Sequence, residues 1–319
     1  MTWMKLAASL LFLLLAVSAV GVTLRAGARE RAAEASYPPE GELVTVNGRV
    51  VHAVVMGAGP DLVLIHGSSG NTRDFTFSFA DKVKDRYRVI VFDRPGLGWS
   101  ERLPVGAEGI HQQAAQLRAA AQALGAENPI VLGQSYGAAV ALAWALDAPE
   151  SLAAVVNVAG PSHPWTGPLP GLYRMNSSTL GGLLAVPLLT AFVRKSYVNR
   201  SVAEVFEPQK MPVEYTDYIG TGLTLRREAL RANASHRATL KDEITALAPR
   251  YGDFPVPLEI VHGDADTTVA VSIHADRMVQ DTDQARLTVL PGVGHMPHHT
   301  HPQDVIAAID RAAARAGLR

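Results

Sequence analysis

From residue 6 to residue 24 the chain carries no charged side chain, and the run LAASLLFLLLAVSAVGVTL stays apolar throughout. At ~1.5 Å of helix rise per residue it matches the hydrocarbon core of a bilayer. The pattern predicts a transmembrane anchor within residues 1–24. The competing reading is an exported chain with a cleaved signal peptide, because Lys5 makes a positive start and Ala26-Gly27-Ala28 looks like a small-residue cleavage site. The length of the apolar run, and Arg25 just before that site, favour the anchor. Lys5 on one side and Arg25, Arg29 and Arg31 on the other leave the membrane side open. Residues 25–41 alternate Arg, Glu and Ala and end in Ser36-Tyr37-Pro38-Pro39-Glu40-Gly41, which predicts a linker with little to bury.

Beyond residue 42 the pattern shifts to short β-branched runs. Residues 43–46 and 50–55 flank Asn47-Gly48, a pair suited to the positive φ angles of a tight turn, so a β-hairpin opens the folded part. Further strands are expected at 62–65, 88–92, 130–132, 153–158, 258–261 and 287–290, with helices near 112–124, 138–146 and 303–314. This alternation implies an α/β class: a mostly parallel sheet with helices on both faces. The rhythm fails over about 161–253, where Pro, Gly, Tyr and short helical patterns dominate. One insertion into a single domain, 42–319, explains this better than two domains side by side.

Composition narrows the classes of function. A chain of 319 residues that is 48% hydrophobic and 18% charged can bury a large core, which excludes persistent disorder. Twenty-nine Lys and Arg against 30 Asp and Glu leave a net charge of −1, so nothing draws the protein to nucleic acid. With no cysteine, disulfides, Cys-ligated zinc, thiol catalysis and iron–sulfur chemistry all drop out.

Candidate chemistry gathers just past the strands. The strand ending at 132 runs into Gly133-Gln134-Ser135-Tyr136-Gly137 and then a helix. A serine on a sharp strand-to-helix turn needs small residues two before and two after it, and Gly133 and Gly137 meet that demand. The early strand at 62–65 ends in His66-Gly67-Ser68-Ser69-Gly70, a loop able to aim one backbone N–H at the serine while the Tyr136 N–H supplies another. His66 itself is expected to shape that loop. The strand at 258–261 ends in His262-Gly263-Asp264-Ala265-Asp266, and the strand at 287–290 in Pro291-Gly292-Val293-Gly294-His295. Serine, then acid, then histidine is the order in which later loops of one sheet serve a nucleophile elbow, with the choice between Asp264 and Asp266 left open.

Taken in order, the His66-Gly67 loop, Asp93-Arg94-Pro95-Gly96-Leu97-Gly98-Trp99-Ser100, the Gly133–Gly137 elbow, Gly263-x-x-Asp266-x-x-Val269 and Gly294-His295-x-Pro297 resemble an α/β-hydrolase-fold protein of the serine-nucleophile, esterase- or lipase-like branch. The resemblance runs from about residue 43 to the carboxyl terminus. It places the acid on Asp266, one oxyanion donor on Ser68, and a mainly helical cap at about 161–253, before the penultimate core strand. Asp93–Ser100 would be a shaping loop. Serine at 135 disfavours the epoxide hydrolases and haloalkane dehalogenases of this fold, which use a carboxylate nucleophile. After His295 the family often has a glutamate near position 300, where this chain has His298-His299-Thr300-His301; that run is expected to be a loop, without metal. Asn176-Ser177-Ser178, Asn199-Arg200-Ser201 and Asn233-Ala234-Ser235 fit glycosylation sequons, to which nothing is assigned.

The expected activity is therefore hydrolysis of carboxylic esters on apolar small or lipid-like substrates. Ser135 is the nucleophile, His295 the base, Asp266 the orienting acid, and the N–H groups of Ser68 and Tyr136 the oxyanion hole; no cofactor is needed. The same residues would serve a carbon–carbon (diketone) hydrolase or an amidase, and a non-catalytic ligand-binding protein of the same fold is the remaining alternative. The apolar run at 180–193, too short and broken to span a bilayer, is expected to be cap core, an acyl-pocket wall or a membrane contact.

Overall fold

In the computed structural model, which describes residues 2–319, a long helix, α1 (Thr2–Ser36), precedes an eight-stranded sheet. Asn47 and Gly48 take φ values of 52° and 71°. That left-handed pair folds β1 (Glu42–Val46) back on β2 (Arg49–Met56). There follow β3 (Asp61–Ile65), the short α2 (Arg73–Thr76) and α3 (Phe79–Val83), β4 (Arg88–Phe92), α4 (Ile110–Ala123), β5 (Ile130–Gln134), α5 (Tyr136–Asp147) and β6 (Ala154–Val158). The strand order is β1-β2-β4-β3-β5-β6, completed by β7 (Leu258–Gly263) and β8 (Ala285–Leu290). Only the pairings of β2 with β1 and β4 are antiparallel.

Both faces of this sheet are covered, which is why its strands read as unbroken apolar runs. β3 sends Val63 and Ile65 toward a core shared with α4 and α5, and Leu62 and Leu64 toward one shared with α3. The register brings the functional loops together. Ile65 lies opposite both Phe92 and Gly133, Gln134 opposite Val158, and Gly263 opposite Leu290, so the loops after β3, β4, β5, β7 and β8 leave one edge.

Between β6 and β7 the chain builds α6 (Gly171–Ser177), α7 (Thr179–Phe192), α8 (Lys195–Val205), α9 (Tyr215–Tyr218), α10 (Thr221–Thr224) and α11 (Arg227–Leu247), the helical insertion that the broken rhythm implies. Helix α12 (Ala275–Asp281) connects β7 to β8, and α13 (Pro297–Thr300) and α14 (Pro302–Arg315) end the chain.

The expected linker differs. Helix α1 does not stop at residue 24 but continues to Ser36, and its second half docks on the insertion. Ala26 and Ala33 are buried, with Glu30 between them, a spacing that puts all three on one helical face. Glu30 accepts from Arg227 Nε and Nη2 at 2.9 and 2.6 Å and from the Arg227 N–H at 2.8 Å, at the amino end of α11 where a carboxylate meets unpaired amides. Glu34 pairs with Arg226 at 3.1 Å, and Arg25 Nε donates to Ala191 O at 2.9 Å. The stretch has the pattern of a linker because its buried side chains are alanines, which signal little hydrophobicity yet let helices approach closely.

A chain beginning at Arg25 is accordingly expected to keep its thermal midpoint. One beginning at Tyr37 loses the charge-assisted bonds of Glu30, worth about 1–3 kcal/mol, and should melt a few degrees lower. Equal midpoints by circular dichroism would show that the helix rests on the insertion without supporting it.

Candidate active site

Ser135 alone makes the reversal between β5 and α5, with φ 51° and ψ −120°. A non-glycine residue enters this region at a cost of about 1–3 kcal/mol. The flanking glycines serve through closeness. A Cβ on Gly133 would lie 2.2 Å from the carbonyl oxygen of Gly137, and one on Gly137 would lie 2.1 Å from that of Ile65. The Ser135 N–H donates to Val158 O at 2.9 Å, which fixes the turn. Its side chain sits at the start of α5, where the first-turn amides and the helix dipole favour negative charge.

His295 and Asp266 arrive on the loops after β8 and β7. An ionised carboxylate only accepts, so His295 Nδ1–H donates to Asp266 Oδ2 at 2.6 Å, and Nε2 is left to accept the Ser135 hydroxyl at 2.9 Å. Asp266 Oδ1 accepts the N–H groups of Thr268 and Val269 at 2.8 and 2.9 Å. Burial pushes the Asp266 pKa up, but bonds from His262, His295 and the Val269 N–H outweigh it and hold the carboxyl below its usual range. Asp264 stands apart: exposed, it accepts the Gly292 N–H at 2.6 Å and ties the two loops together. Gln134 adds a further tether by donating to His295 O at 3.1 Å.

The loop after β3 passes over the serine, and a Cβ on Gly67 would lie 3.1 Å from Ser135 Cβ. The N–H groups of Ser68 and Tyr136 have no acceptor among the described residues. The Gly67–Ser68 peptide is gripped from behind, because Gly67 O accepts from Arg94 Nη2 at 3.0 Å and from His66 Nδ1 at 2.9 Å. The C=O and N–H of a trans peptide point in opposite directions, so this grip turns the Ser68 N–H away from Arg94. His66 Nε2 accepts the Arg94 N–H at 3.0 Å, which leaves the ring proton on Nδ1. Burial, with Arg94 alongside, pulls the His66 pKa down to about 4 and keeps the ring neutral. The motif around Arg94 implies only a shaping part for it. Fully buried, its side chain donates to His66 O, Gly67 O and Gln113 Oε1 at 3.0, 3.0 and 2.8 Å and lies 4.2 Å from the centroid of the Tyr136 ring. Burial brings its pKa down to about 10.

Two residues of the insertion hold the next position. Asn233 Oδ1 accepts the Ser69 N–H at 2.9 Å while its Nδ2 donates to Ser69 Oγ at 2.8 Å, and Thr224 Oγ1 donates to Ser69 O at 2.8 Å. The sequon at Asn233 is therefore a buried strut.

The His298–His301 run also departs from the expected loop. Residues 297–300 form α13, and both His298 and His299 aim Nε2 at Asp74, at 3.4 and 2.8 Å. Tyr215 from the insertion donates to the same carboxylate at 2.5 Å. Asp74, His298 and His299 bring their donor atoms within 4.8 Å of one another, a set a divalent cation accepts. However, Nδ1 of both rings is buried without a partner, whereas a metal-bound imidazole normally has its second nitrogen held. Hydrogen bonds alone account for the cluster. It joins insertion to core beside His295, and burial lowers the His298 pKa to about 4. The acid lies 224 residues from its histidine, and no motif announced it.

Ser135 is 6% exposed and His295 4% exposed. A model of the alpha/beta hydrolase fold matches residues 60–302. Lipase 3 of Moraxella sp. (strain TA144) is 26% identical over 276 residues, 82% of this chain and 79% of that protein. A 2-hydroxy-6-oxononadienedioate/2-hydroxy-6-oxononatrienedioate hydrolase of Paraburkholderia xenovorans (strain LB400) is 25% identical over 251 residues, 76% of this chain and 82% of that protein. Among solved structures, a membrane phospholipase A described as a bacterial virulence factor superposes with a TM-score of 0.66 at 21% identity, covering 98% of this chain and 99% of that one.

Proposed function

Because the chain belongs to the alpha/beta hydrolase fold family, we propose that it is a serine hydrolase that cleaves carboxylic esters, on apolar small or lipid-like substrates, without a cofactor. The hydrogen-bonded line from Ser135 through His295 to Asp266, at 2.9 and 2.6 Å, carries this reading. His295 Nε2 takes the Ser135 proton as Oγ attacks the ester carbonyl, and Asp266 stabilises the imidazolium. The N–H groups of Ser68 and Tyr136 receive the developing oxyanion. His295 then hands its proton to the leaving alcohol, and a water attacks the acyl-enzyme by the same route in reverse. Labelling by a fluorophosphonate probe tests the assignment: wild type reacts and Ser135→Ala does not. An ester panel graded by acyl length reads the substrate class. The Paraburkholderia relative favours one alternative, carbon–carbon cleavage of a diketone, which a substrate of that type tests directly.

Arg94 acts here as a positioning residue for the Ser68 donor. Losing one oxyanion donor costs about 10²–10³-fold in kcat. Arg94→Lys keeps the charge but not the fork that holds His66 O and Gly67 O together, so kcat should fall by about 10–10²-fold with KM little changed. Wild-type kcat in a folded Arg94→Lys protein would remove Arg94 from this part.

The anchor reading of residues 1–24 is retained, with the catalytic domain over 42–319 and its cap at about 161–253. Cleavage at Ala26-Gly27-Ala28 would remove Arg25 and Ala26, which pack on the cap, and this favours an uncut helix over a signal peptide.

A further inference from the structure

Helix α7 has no charged residue, and its Ser178 cap accepts the Gly181 N–H at 3.0 Å. Gly182, Val186 and Thr190 turn inward. On the other side Leu180, Leu183 and Leu184 are 71%, 67% and 62% exposed, and Leu188 and Phe192 continue the stripe. An apolar surface this continuous on a soluble face marks a contact not yet made. Its place supplies the partner. The carboxyl-terminal turn of α7 meets α1 where the uncharged run ends: Arg25 donates to Ala191 O, and its guanidinium lies 5.1 Å from the centroid of the Phe192 ring. The end of the membrane-length segment therefore meets the carboxyl end of the stripe, at Phe192. Arg174 and Arg194, both exposed, flank the stripe in sequence, as cations flank a segment that meets a phosphate layer.

We propose that this face of α7 seats in the bilayer crossed by α1, with its leucines among the acyl chains and Arg25, Arg174 and Arg194 among the headgroups. The proposal rests on α1 being retained as the anchor. It goes beyond a tether, because α7 belongs to the insertion read as the cap, which would put an element of that cap in contact with lipid.

The absence of cysteine allows single-site labelling of the full chain in vesicles of phosphatidylcholine with a minor share of phosphatidylglycerol. Leu184→Cys, Leu14→Cys and Val105→Cys, each carrying an environment-sensitive fluorophore, report on the stripe, the anchor and a water-exposed loop. The expected result is blue-shifted Leu184 and Leu14 labels quenched by lipid-borne nitroxides, and a Val105 label quenched by iodide. A Leu184 label quenched by iodide like Val105, with Leu14 in lipid, overturns the seating and leaves the anchor. A Leu14 label in water overturns both. Shielding of Leu184 that appears in detergent micelles and grows with protein concentration assigns the stripe to a second copy of the chain instead. Leu183→Asp with Leu184→Asp should lower turnover of a vesicle-borne ester several-fold while a soluble ester is hydrolysed as before; equal rates on both would also overturn the seating.

Discussion

Ser135→Ala should abolish turnover while leaving the fold unchanged. Removing the nucleophile of a Ser-His-Asp site costs about 10⁴–10⁶-fold in kcat, with the oxyanion donors and binding retaining a residue of ~10³–10⁴ over water. Nothing in the packing depends on the hydroxyl, since the turn is held by the Ser135 N–H to Val158 O and by the close approach of Gly133 and Gly137. Circular dichroism and the thermal midpoint should match wild type. Ester hydrolysis by the folded variant at a comparable rate would remove Ser135 from the chemistry.

The second large effect separates two carboxylates that lie two positions apart. Asp266→Asn is expected to lower kcat about 10⁴-fold. The asparagine oxygen can keep the Thr268 and Val269 amides, which turns the NH₂ toward His295 Nδ1. Nδ1 must then accept, Nε2 carries the proton, and the ring faces Ser135 as a donor with no lone pair to take the hydroxyl proton. Asp264→Asn still accepts the Gly292 N–H through its oxygen, so activity should stay within about twofold of wild type, as for an exposed surface change. Activities in the opposite order would move the orienting role to Asp264.

The two carboxylates also mark how far sequence alone reaches. The strands and the elbow were legible because each states its constraint locally: an unbroken apolar run, an Asn-Gly turn, two glycines spaced about a serine. Asp264 and Asp266 sit on one loop after one strand, and spacing cannot say which turns toward His295; only the motif resemblance favoured Asp266. What stayed hidden was held by partners far apart in the chain. Asn233 reads as a sequon, and its bond to Ser69 joins α11 to a loop 164 residues away. The docking face of α1 is written in Ala26, Glu30 and Ala33, residues whose fit comes from smallness and one partly exposed charge pair. The Arg94 grip on Gly67 O was invisible because the partner is a backbone carbonyl, which every residue has.

The bonds between Asn233 and Ser69 tie the insertion to the loop that, in the proposed mechanism, carries an oxyanion donor. A cap that lifts to admit an ester must let go of the residue next to the Ser68 donor, and a cap that comes down grips it again. In the proposed mechanism a closed cap would thus brace the loop that carries the Ser68 N–H, and a lifted cap would leave that loop to the Arg94 grip. Water arriving at an open site would meet an oxyanion seat that has only the Arg94 side of its support. An acyl chain long enough to hold the cap shut would restore that seat as it binds, so length of substrate should register in kcat as well as in KM.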